Sequence, residues 1–181
     1  MFTITDHHVD QAKFIESPNF SDRPAGVKPT LLVIHNISLP PGKFGGPYIA
    51  DFFQNRLDTS KHPFFEEIAD LQVSSHLFLD REGQLIQFVD LNKKAWHAGI
   101  SEFEGQKECN DFAIGIELEG TDTEPYSDKQ YLSLISLTNC LMENYPGIST
   151  ERIVGHSDIA PSRKTDPGAS FDWSRYKNSL A

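Results

Sequence analysis

The 181-residue sequence has the usual length of one domain and enough chain to bury a sizeable core. Hydrophobic residues at 38% and charged residues at 23% exclude a disordered tail, and no apolar run approaches the ~20 residues of a membrane span. Sixteen Lys and Arg against 26 Asp and Glu leave a net charge of -10, which argues against nucleic acid or an anionic membrane as partner. A small acidic ligand in a local basic pocket remains compatible with it.

The opening Met1 to His8 has neither a basic leader nor an apolar core, and Cys109 and Cys140 form no disulfide framework or zinc knuckle. A cytoplasmic protein with free thiols is the expectation. Residues 1–30, punctuated by Pro18, Pro24, Gly26 and Pro29, read as a loop-rich lead-in. Leu31-Leu32-Val33-Ile34 opens a strand apolar on both faces, which suits the centre of a covered sheet. After the loop Pro40 to Pro47, residues Tyr48, Ile49, Phe52, Phe53 and Leu57 fall at helical spacing, with Pro47 suited to a first turn.

His76 to Asp80 and Gln84 to Val89 flank Asp80-Arg81-Glu82-Gly83 and read as a β-hairpin. In Phe112 to Glu119, period two puts Ile114, Ile116 and Leu118 on one face and Ala113, Gly115, Glu117 and Glu119 on the other. Ser127-Asp128-Lys129-Gln130 has capping-box spacing and starts a helix whose stripe runs from Tyr131 to Tyr145, stopped by Pro146-Gly147. Arg152 to His156 reads as a last short strand entering a loop from 157 to 170, and Asp172 to Tyr176 opens a terminal helix. Interleaved strands and helices predict one α/β domain over 1–181, a mixed sheet flanked by helices, with its core in 31–170 and a C-terminal helix in 171–181.

Three ionisable residues stand where apolar strands end or loops begin. His35 closes an apolar strand, His156 closes another, and Asp166 follows ten residues later. Two imidazoles and a carboxylate can hold Zn²⁺ with one tetrahedral position open, yet their separation in sequence does not show that they meet. A core histidine bonded to a carbonyl is the alternative for either ring. Glu117 is a carboxylate on an otherwise apolar strand, expensive to bury unless paired or functional, and Glu119 shares its face. The pattern leaves both open as the proton-transferring group of a hydrolase. Lys164 could face a developing oxyanion or simply solvent. Trp96-His97 joins a flat ring to an imidazole, and His76 could line a cleft or cap the sheet.

Taken in order, Leu32-Val33-Ile34-His35-Asn36, Val73-Ser74-Ser75-His76, Asp80-Arg81-Glu82-Gly83, Trp96-His97-Ala98-Gly99, Asn110 to Leu118, Gly155 to Pro161 and Arg163 to Gly168 resemble one family. It is the zinc-dependent N-acetylmuramoyl-L-alanine amidases, which share a fold with T7-type lysozyme and peptidoglycan-recognition proteins. Ile37 to Gly42, Glu117 to Asp122 and an Asp at the third metal position look most like its cytoplasmic AmpD type, which cleaves 1,6-anhydro-N-acetylmuramyl peptides in cell-wall recycling. The resemblance implies zinc on His35, His156 and Asp166, Glu117 as general acid and base in preference to Glu119, and Lys164 as oxyanion stabiliser. It also suggests Asn36, Trp96, His97 and His76 as substrate contacts. The implied partner is a small soluble anhydromuropeptide met by a monomer, and in some bacteria loss of such an enzyme induces a β-lactamase. A non-catalytic muropeptide-binding module and an exported lytic amidase are the competing readings.

Overall fold

In the computed structural model, which describes residues 1–181, the lead-in is more ordered than its proline content suggests. It carries β1 (Ile4–Thr5), β2 (His8–Val9), β3 (Lys13–Phe14) and β4 (Phe20–Asp22). These strands are too short to show a period, so only their partners reveal them. The remaining strands are β5 (Leu31–Ile37), β6 (Leu77–Leu79), β7 (Leu85–Gln87), β8 (Lys93–Ala95), β9 (Glu102–Phe103), β10 (Gln106–Lys107), β11 (Ala113–Glu119) and β12 (Ile153–Gly155). Six of them form one mixed sheet in the order β12-β5-β11-β6-β7-β3. Its left half is parallel, and β6 and β7 make the expected antiparallel hairpin.

Helix α1 (Tyr48–Phe53) begins after Pro47, and α2 (Pro63–Ile68) follows a turn. The longest helix, α3 (Asp128–Asn144), starts on the Ser127–Gln130 capping box. It lays Tyr131, Leu134, Leu137 and Leu141 on the sheet face made by Leu32, Ile34, Ile114, Ile116 and Leu118. Trimming Leu134 to Ala there would cost about 2–5 kcal/mol, the usual range for a cavity under a buried leucine. Two short helices complete the chain, α4 (His156–Ile159) and α5 (Trp173–Lys177), the latter capped by Asp172. The opening of the expected 157–170 loop is therefore helical: Asp158 accepts from the Gly155 N–H at 2.7 Å and starts a turn directly on the strand end. No helix is long and apolar enough to cross a membrane.

The opposite sheet face has a split cover. Leu31, Val33, Ala113, Val154 and Ile159 fill one part, while α1 and α2 close over Phe78, Phe88 and Val89 in another. Between them the carboxyl ends of the parallel strands stay open, the usual place for ligands in such sheets.

Buried His76 stitches that sheet together. The Gly115 N–H donates to its Nδ1 at 3.0 Å, so the proton sits on Nε2, which donates to the Lys93 carbonyl at 3.0 Å. Burial first, and then the charge of Arg23, push its pKa down to about 3. Above pH ~6.5 both folded and unfolded states hold a neutral ring; between ~6.5 and about 3 only the unfolded chain takes up the proton. Stability should therefore fall on acidification by about 1.4 kcal/mol per pH unit from this one group. Urea midpoints from pH 7 to 4 should show a slope shallower by one proton in His76→Asn; an unchanged slope would remove His76 as its source.

Candidate active site

Strand register assembles the site. His35 on β5 lies opposite Glu117 on β11, and Gly155 of β12 lies opposite Ile34, so His156 emerges beside His35. The Ser157 N–H donates to the Asp166 carbonyl at 3.0 Å, tying the late loop back onto α4. The ligand atoms of His35, His156 and Asp166 consequently lie within 4.8 Å of one another. His35 Nδ1 is 2.9 Å from His156 Nδ1, and both are 3.1 Å from Asp166 Oδ2.

The protonation pattern tests whether a cation fits among them. His156 Nε2 lies 3.0 Å from the Ala98 carbonyl and must donate to it, which leaves Nδ1 a bare lone pair facing a carboxylate oxygen. Two acceptors at that distance repel unless something positive sits between them. Three donors on tetrahedral bonds of ~2.0–2.1 Å would be separated by roughly 3.3 Å, close to the spacing seen. The donor set of two imidazoles and one carboxylate is one that zinc accepts while keeping a position open. Burial chiefly holds the His35 pKa down at about 4, with the neighbouring His156 and Lys164 adding to the effect against Asp166.

The two glutamates left open by the sequence separate cleanly. Glu119 is buried with both oxygens used: the Gly45 N–H donates to Oε1, and the Arg81 N–H to Oε2 at 3.1 Å. Glu117 faces the triad, and its Oε2 is buried with no partner at all. Burial, reinforced by the charge of Asp166 and opposed by Lys164, drives its pKa well above that of an ordinary glutamate. A carboxyl in that condition can both take and return a proton near neutral pH.

A cavity of ≈ 360 Å³ contains the triad, Glu117 and Lys164. Phe52, Phe53, Phe64, Ile68 and half-exposed Leu71 give it an apolar wall, contributed by α1, α2 and the turn after α2. Sequence reading found α1 but missed α2; the signal was His62-Pro63, where His62 Nδ1 accepts from the Phe64 N–H and Pro63 occupies the first turn. Lys164 also borders a second, wholly polar depression with Asn36, Thr121, Arg163 and Thr165. Half-buried Trp96 lines the first cavity and donates from Nε1 to Ser21 Oγ at 3.3 Å. Asn36 lines both depressions, and its amide donates to Asp122 Oδ1 at 2.8 Å.

Two of the residues expected as substrate contacts, His76 and His97, are engaged by the fold itself. His76 is fully buried, both nitrogens are engaged by backbone, and it lies outside the cavity wall. His97 does reach the wall, but its Nδ1 meets His35 Nε2 at 2.9 Å and its Nε2 is buried, so neither nitrogen is offered to a ligand. The His97 ring stands where a side chain on Gly115 would be: a Cβ there would come within 2.6 Å of its Cγ. Gly115→Ala should accordingly displace His97, lower the thermal midpoint and cut activity at least about tenfold, as misplacement of supporting groups does. A variant with parental rate and midpoint would show that the ring can give way freely.

Comparison with known proteins shows the family. The sequence pattern of the N-acetylmuramoyl-L-alanine amidase family matches residues 25–169. The 1,6-anhydro-N-acetylmuramyl-L-alanine amidase AmpD of Haemophilus influenzae is 55% identical over 166 residues, covering 92% of this chain and 90% of that protein. The crystal structure of a selenomethionine AmpD derivative superposes with a TM-score of 0.96 at 48% identity, covering 98% of this chain and 99% of the other. The Escherichia coli amidase AmiD, solved with anhydro-N-acetylmuramic acid-L-Ala-D-γ-Glu-L-Lys as substrate, superposes at 0.61 with 27% identity, over 98% of this chain and 65% of the other. With a family match across most of its length and a relative more than half identical, the chain belongs to the N-acetylmuramoyl-L-alanine amidases.

Proposed function

We propose that this chain hydrolyses the amide between the lactyl group of 1,6-anhydro-N-acetylmuramic acid and the L-alanine of the stem peptide, as a zinc enzyme of muropeptide recycling. The observation that carries the reading is the convergence of His35, His156 and Asp166 beside the unpartnered carboxyl of Glu117 in one cavity. His35 Nδ1, His156 Nδ1 and Asp166 Oδ2 would hold the ion. When bound, zinc supplies Lewis acidity, polarising a carbonyl and lowering the pKa of a water towards ~7.

The chain's own groups do the rest. Glu117 takes the proton of the attacking water on its carboxylate and returns it to the departing alanine nitrogen. Raised by burial, its pKa suits both halves of that transfer. The Lys164 ammonium, at the boundary of the two depressions, faces the oxygen on which negative charge grows. The apolar wall with Trp96 suits the sugar, and the polar depression beyond Lys164, bordered by Asn36, Asp122 and Arg163, suits the polar backbone of the peptide. The substrates named for AmpD and AmiD support an anhydromuropeptide here. We place the reaction in the cytoplasm and assign it to a monomer, readings that fractionation and sedimentation check.

The decisive experiment follows release of peptide from anhydromuramyl tripeptide by the purified protein, with chelator, with zinc restored, and with the non-anhydro sugar as competitor. Undiminished release without metal would end the zinc reading, and equal rates on both sugars would end the assignment to recycling.

A further inference from the structure

The loop Trp96 to Ala98 approaches both imidazoles of the triad from behind. Its position is fixed by Asn110, whose Oδ1 accepts from the backbone N–H of His97 at 3.1 Å and of Ala98 at 2.8 Å. From that anchored loop the Ala98 carbonyl takes the Nε2 proton of His156, and the His97 ring meets Nε2 of His35 edge-on. The side chain of His35 presents Nδ1 to His156 and Asp166, so a lone pair directed at a shared cation must leave that nitrogen, with the proton on Nε2. At 2.9 Å from it, His97 Nδ1 can only accept. Its own proton is then on Nε2, a buried donor with no partner. A histidine kept only for packing would have no reason to hold an orphaned donor, nor to require a glycine beneath its ring.

Resting on the zinc reading above, we propose that His97 is a positioning residue: its Nδ1 accepts the Nε2 proton of His35 and so fixes His35 in the tautomer that offers Nδ1 to the metal. Partners of this kind orient metal-ligating imidazoles and raise their basicity, and losing one costs 10–100-fold in metal affinity. The usual partner is a carboxylate, carbonyl or water; here a second, neutral imidazole takes that place, itself wedged between Gly115 and the His76 ring, whose centroid lies 5.6 Å from its own.

Zinc affinity, measured by competition with a chromophoric chelator, tests this without reference to turnover. His97→Phe keeps a ring against Gly115 but removes the acceptor, and should bind zinc 10–100-fold more weakly. His97→Asn places an accepting oxygen near the Nδ1 position and should recover most of that loss. Equal affinities for wild type and His97→Phe, or equal losses in the Phe and Asn variants, would overturn the proposal. Urea midpoints show whether each variant is folded. Independently of any variant, ¹⁵N spectra of the zinc-loaded wild type should place the His97 proton on Nε2; a proton on its Nδ1 overturns the proposal. Wild type that binds no zinc would instead end the metal reading itself.

Discussion

Glu117→Gln should lower kcat by about 10²–10⁴-fold while leaving KM and zinc binding close to those of the parent. Glutamine keeps the volume and the hydrogen-bonding reach but cannot take up a proton, so the loss falls on the transition state alone. The expected factor corresponds to about 2.7–5.5 kcal/mol of activation free energy, the usual worth of one placed general base. The same substitution should stabilise the metal-free protein at neutral pH. Because burial and Asp166 raise the Glu117 pKa in the folded state, its ionised form is favoured by unfolding, and native stability falls as pH rises through that window. A neutral amide removes this term. Parallel progress curves and thermal midpoints decide the matter: a parental rate would remove Glu117 from the chemistry, and a lower midpoint would mean that its orphaned oxygen is held by something protonated.

Stripping divalent metal should abolish hydrolysis by at least about 10³-fold, since the polarisation and water activation that a bound zinc would supply are worth several kcal/mol. Zinc added back should restore the rate. Asp166→Ala should reproduce the stripped state and resist rescue, for it removes the only charge among the three proposed ligands and the oxygen that both imidazoles face. Stability offers a second readout. A ligand at 100 times its Kd adds about 2.7 kcal/mol to the folded state. Zinc should therefore raise the thermal midpoint of wild type and leave that of Asp166→Ala unmoved. Full activity in a chelator, or an equal zinc shift in both proteins, would break the assignment.

What the chain reveals by itself is whatever local pattern dictates. Four apolar residues before His35, the alternation along Phe112 to Glu119 and the capping box at Ser127 each specify an element through the side-chain periods of strand and helix. Ordered motifs likewise identify the family, because His35, Glu117, His156 and Asp166 sit in recognisable surroundings. Three things were decided only by the assembled sheet. The parallel register of β5, β11 and β12 turned residues 121 apart into neighbours at 2.9 Å, and no spacing rule contains that distance. The loop before α1 and the β6–β7 turn bring the amides of Gly45 and Arg81 onto Glu119 while leaving Glu117 unpaired, a choice invisible along one strand where both share a face. Lastly, His76 and His97 read alike in sequence as strand-end or loop histidines. Only the hydrogen bonds around each ring made one a brace of the sheet and the other a neighbour of His35, because an imidazole's role follows from which nitrogen keeps its proton.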